Sequence, residues 1–205
     1  MTDTSANKAP VNKLGDLLSV AVERAVPVVR AIPDDRLAAP TPCAKYDVKD
    51  LVNHLLQVIV QFQALAAKRD SDFDQSVDYV AQGPDWRERF VDETGKLIAA
   101  WSVPGAEEGT TGAMNMPART VGSMVLLDLT VHAWDLARAT GQTYEPAPEG
   151  SGVLKTLRET VADLAPTARK MGVLGEPVVV PGDAPELEKL LADTGRDPRW
   201  VAAAA

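Results

Sequence analysis

Apolar residues return at intervals of three and four through most of the chain, and this spacing limits the fold more than any other feature. It is clearest in DVKDLVNHLLQVIVQFQALAAKR, residues 47–69, where Leu51, Leu55, Val58, Phe62 and Leu65 fall along one side of a helix. Asp47 stands where a short carboxylate caps the free N–H groups of a first turn. The same period marks LGDLLSVAVERAVPVVRAI (14–32), which Pro27 is expected to kink, and 85–103, opened by Pro84. It returns over 119–140, closed by Gly141, and over 150–171, ending near Gly172. Between these lie a proline-rich loop (33–46), an acidic turn-rich stretch (70–84) and a Gly-rich loop (104–117) with room for a short hairpin. The tail adds an extended VVV piece (178–180) and a short helix from Pro185 to Thr194. Strand signals are almost absent and no repeat is found. The expectation is therefore one all-α domain over 1–205: a bundle of four long helices, a frayed start at 1–12 and a short C-terminal extension over 172–205.

Net charge decides against some partners. At −8, with a pI near 4.8 and no basic cluster, the chain lacks the face that nucleic acid or an anionic membrane requires. No apolar run approaches the roughly 20 residues of a membrane span. The lone Cys43 excludes an intramolecular disulfide, and the polar start MTDTSANKAP does not read as a secretory signal, so the cytoplasm is the expected compartment.

Only two histidines are present, His54 and His132, and both fall on apolar faces of different helices. Asp128 lies one turn before His132, about 40° away around the axis, so the two side chains can converge on one point. Two imidazoles and a carboxylate make three N and O donors. With a fourth position left open, that is the arrangement of a catalytic zinc site, and it also suits nickel, iron or manganese. A histidine on an apolar face is more commonly a hydrogen-bonded core residue, and Asp128–His132 can equally be an internal ion pair. Asp135, one turn beyond His132, either orients that ring from behind or pairs with Arg138 at the surface. Trp101 and Trp134 read as packing residues, and Cys43 as a small half-buried side chain rather than a nucleophile. Asn53 faces solvent or the neighbouring helix. No Gly-rich phosphate loop or G-x-S-x-G elbow is present, and Ser123 has no recognisable base.

TPCAKYDVKDLVNHLL (41–56) together with LLDLTVHAWDLARATGQ (126–142) resembles the mycothiol-dependent maleylpyruvate isomerase N-terminal, or metal-binding, domain of the DinB/YfiT-like superfamily. GRDPRW (195–200) is similar to the ending of a short actinobacterial branch of that family. The resemblance implies a DinB-like four-helix bundle holding a divalent metal, usually zinc, on His54, Asp128 and His132. It also implies a low-molecular-weight thiol such as mycothiol as cosubstrate, an electrophilic small molecule as its partner, and pairing into a homodimer. The chain departs from the family pattern in carrying Asp128 where a Glu is expected and Tyr46 where a Trp is common, and it is expected to lack the separate C-terminal domain of the isomerase. Three readings stand: a thiol-dependent transferase or isomerase, a non-catalytic binding or stress-response bundle with a vestigial site, and a metal-dependent hydrolase whose nucleophile is bound water.

Overall fold

The computed structural model describes residues 13–113 and 115–202; the expected frayed segment 1–12 lies outside them. Four helices form the bundle: α1 (Leu14–Arg30), α2 (Val48–Ala66), α3 (Trp86–Trp101) and α4 (Ala118–Thr140). α1 and α2 each pack against both α3 and α4, so α1–α2 and α3–α4 are the diagonals of the square. Consecutive diagonal helices cannot be joined by tight turns, and the connections 31–47 and 102–117 are long enough to cross the bundle end. α5 (Val153–Lys170) lies on the outer side of α4, and the short α6 (Glu186–Asp193) packs on α5. The all-α bundle is as expected, and the hairpin is present as Thr110–Thr111 paired with Met116–Pro117.

Local chemistry explains where the helices begin and end. The Asp47 side chain accepts a 2.8 Å hydrogen bond from the Asp50 N–H and caps α2 as its position predicts. Gly141 closes α4 in the left-handed region at φ 72°, where a Cβ would be strained. α2 was expected to reach residue 69, but it stops at Ala66 because Lys68 takes the left-handed conformation, φ 59°, that glycine usually supplies. The Lys68 ammonium compensates by donating at 2.7 Å to the carbonyls of Ala106 and Glu108. The VVV piece joins no sheet: the Val178 N–H bonds to the Ala192 carbonyl and Val179 is almost fully exposed.

α4 is covered on nearly every face, since α1 and α2 pack on one side of it and α5 on another. Polar residues on such a helix must be satisfied inside the protein. Thr130 does so by returning its hydroxyl to the Leu126 carbonyl at 2.8 Å. His132 and Asp135, both buried, do so through the site described next.

Candidate metal centre

His54 lies two turns into α2, and Asp128 and His132 lie one turn apart on α4. Packing of α2 on α4 brings all three into the lining of one cleft of about 580 Å³. The rings of His54 and His132 meet edge to face, 5.2 Å between centroids and 89° between planes. Tyr46 stacks on His54 at 5.0 Å between centroids and 21° between planes. Its loop is fixed by the Thr41 hydroxyl, which donates at 2.8 Å to the Tyr46 carbonyl and accepts from the Cys43 N–H. One donor atom from each of His54, Asp128 and His132 lies within 4.8 Å of the others, and His132 Nε2 stands 3.9 Å from Asp128 Oδ1. Zinc bonds to nitrogen and oxygen of about 2.0–2.2 Å place two donors of one ion at most about 4.4 Å apart, so small side-chain rotations close the set. In chemistry and placement the three residues fit a divalent cation.

A 2.8 Å contact joins His132 Nδ1 to Asp135 Oδ2. A carboxylate oxygen is only an acceptor, so a proton must lie on Nδ1, and the lone pair of the neutral ring is then on Nε2, facing Asp128. Asp135 is fully buried. Burial alone would raise its pKa, but the His132 hydrogen bond and the Arg196 charge outweigh it and hold the carboxyl below its ordinary value. Of the two readings open for Asp135, the surface pair with Arg138 is wrong. Arg138 instead donates from Nε to the Trp200 carbonyl at 3.1 Å, because the C-terminal segment covers this part of α4.

Cys43, His132 and Asp135 form a second cluster of possible ligands. The guanidinium of Arg196 already provides positive charge there, with Nη2 at 3.1 Å from Asp135 Oδ2 and 3.4 Å from His132 Nδ1. Burial pushes the Cys43 thiol above its ordinary pKa, with Arg196 pulling the other way, which agrees with an unreactive half-buried cysteine. Of the two clusters, His54, Asp128 and His132 all line the cleft, whereas Asp135 does not.

Burial is also the main cause lowering the pKa of His54, with the neighbouring His132 and Arg196 adding to it and Asp128 opposing. Because the folded value is depressed, the stability contributed by neutral His54 is fully present above 6.5 and is lost as pH falls from there toward the folded value. Urea midpoints of metal-free protein should therefore fall between about pH 7.5 and 5.5. The fall should be smaller in His54→Leu; equal slopes would remove His54 as the cause.

With this geometry in view, comparison with known proteins is informative. The family model described as the mycothiol maleylpyruvate isomerase N-terminal domain matches residues 18–137. The chain belongs to that family. An uncharacterised protein of Mycobacterium tuberculosis strain CDC 1551 is 26% identical over 171 residues, covering 80% of this chain and 87% of the relative. An uncharacterised protein of strain H37Rv matches to the same extent. No solved structure matches the chain significantly. No described helix is long and apolar enough to cross a membrane. The mycothiol maleylpyruvate isomerase match spans His54, Asp128, His132 and Asp135 but ends well before Arg196.

Local spacing assigns no role to Arg196, which lies in the GRDPRW motif. Tyr46 was read as packing and is that, with His54 as its partner. Asn53 faces neither solvent nor a neighbouring helix. It is buried, donates to Asp78 at 2.9 Å and accepts from the Val80 N–H at 3.1 Å, pinning the 67–85 connection to α2.

Proposed function

We propose that this protein is a metal-dependent thiol transferase or isomerase in which His54, Asp128 and His132 hold a divalent cation. The observation that carries this reading is the convergence of the three donors on an open cleft, with the His132 Nδ1 proton already engaged by Asp135. Three protein donors beside an opening suit a catalytic rather than a structural ion, which would be closed by four. Zinc is the first choice for two imidazoles and one carboxylate, ahead of nickel, iron and manganese. When bound, such a cation supplies Lewis-acid charge that lowers the pKa of a thiol placed beside it.

The chain's own residues divide the remaining work. A bound cation takes the unprotonated nitrogens of His54 and His132, and Asp128 offsets part of the ion's charge from a position that is only partly exposed. Tyr46 covers one face of the His54 ring and shields it from water. Family membership supports a thiol of the mycothiol type; the reading adds an electrophilic small molecule as the second substrate. The shorter Asp128, in place of Glu, sets the carboxylate back by one methylene and leaves more of the cleft to the ligand.

Cobalt-loaded protein tests the reading directly. Addition of mycothiol is expected to produce a sulfur-to-cobalt charge-transfer band in the near ultraviolet, and the analogue with serine in place of the cysteine is expected to produce none. Cobalt that binds without any response to the thiol would remove the thiol chemistry and leave the hydrolase and the non-catalytic bundle.

A further inference from the structure

The residue that holds His132 in place is itself held from a distance. Asp135 has no exposure, and besides the His132 hydrogen bond to Oδ2 it receives Arg196, 61 residues downstream, through Nη2 at 3.1 Å from Oδ2 and Nε shared between Oδ2 at 3.3 Å and Oδ1 at 3.4 Å. An Asp carboxylate bonded to one donor can still turn about its last torsion, which is broad. Contact of one planar guanidinium with both carboxylate oxygens, Oδ2 from Nη2 and Oδ1 from Nε, restricts that rotation.

Several specific contacts place Arg196 there. Gly195 adopts φ 88° against Gly175, and a Cβ on Gly195 would lie 2.6 Å from the Gly175 Cα. Arg169 donates from Nη2 to the Asp193 carbonyl at 2.6 Å and from Nε to the Gly175 carbonyl at 3.1 Å. The Arg196 N–H bonds to the Leu191 carbonyl at 2.9 Å, and its Nη1 returns to the Thr194 carbonyl at 3.2 Å. Only about a tenth of the Arg196 side chain is exposed. All of these contacts lie beyond the family match at 18–137.

We propose that residues 172–196 are a working part of the metal centre. Arg196 is a positioning residue that fixes the Asp135 carboxylate, so that His132 keeps its proton on Nδ1 and turns Nε2 toward Asp128 and His54. This rests on the reading of His54, Asp128 and His132 as ligands, and the test separates the two.

Arg196→Gln, Arg196→Lys and Gly195→Ala are made in the full chain and checked for helicity by circular dichroism. With only two histidines, long-range proton–nitrogen spectra of metal-free protein at about pH 8.5, some two units above the ordinary imidazole value, give both tautomers, with His54 as the internal reference. His132 should be the Nδ1–H form in wild type and a mixture in Arg196→Gln. Zinc affinity, measured by competition with a chelator, should fall about 10–100-fold in Arg196→Gln, as for loss of a partner that orients a ligand. It should fall less in Arg196→Lys, and in the same direction in Gly195→Ala, which shifts the segment but keeps the arginine. Unchanged tautomer and affinity in variants of a zinc-binding wild type would overturn the positioning role and leave the ligand set intact. A wild type that binds no zinc would overturn the ligand set and, with it, the extension's part in a metal centre.

Discussion

His132→Ala should lose stoichiometric metal while remaining helical. The substitution removes one of three donors and leaves His54 and Asp128, a pair too few to enclose a zinc or nickel ion. The loss in affinity should therefore exceed the 10–100-fold expected for a residue that only orients a ligand. It also leaves the buried Asp135 with Arg196 as its remaining side-chain partner, at a cost of about 1–3 kcal/mol, a part of the 5–15 kcal/mol typical of a folded domain. His54→Ala is the companion variant. His54 is only half-buried and carries no partner comparable to Asp135, so metal should be lost at a smaller cost in stability. Metal content by plasma emission, together with circular dichroism, checks both, and unchanged metal content in either variant would remove that residue from the set.

The second large effect concerns the bundle that brings α2 and α4 together. Gly122 lies on α4 where α1 and α3 approach it. A Cβ there would sit 2.0 Å from Leu14 Cδ2 and 2.9 Å from the Trp101 ring, both from fully buried side chains. Replacing a helical glycine with alanine normally stabilises by about 1 kcal/mol. Here the overlap should reverse the sign, and Gly122→Ala should destabilise by about 1–3 kcal/mol, with Gly122→Val costing more. Urea unfolding measures this. Leu14→Ala should recover part of the loss in the double variant, since the two sites share the overlap. A Gly122→Ala protein more stable than wild type would show that the crossing has room to spare.

Much of this molecule was legible from residue spacing because burial on a helix is periodic. The stripe along α2, the Asp47 cap and the Gly141 stop each follow from local geometry, and each is present. The end of α2 was missed for a physical reason. Lys68 occupies a conformation usually left to glycine, and what rewards it is a pair of carbonyls in a loop about 40 residues away, which no local pattern encodes.

The site divides in the same way. His54, Asp128 and His132 stood out because both histidines were in phase with apolar stripes, and packing of α2 on α4 brings the three together. Asp135 was ambiguous because its spacing from His132 says nothing about what covers that side of α4. The cover comes from the C-terminal segment, which also contributes Arg196 and takes up Arg138. The order of the helices around the square was likewise beyond periodicity, since a stripe shows that a face is buried but not against which neighbour.

The most direct measurement is X-ray absorption at the zinc edge on thiol-free protein purified without an affinity tag. One ion per chain is predicted, with a shell of nitrogen and oxygen at about 2.0–2.1 Å that includes two imidazoles and no sulfur. An absence of zinc even after loading, or a sulfur scatterer at about 2.3 Å placing the ion at Cys43, would contradict the account.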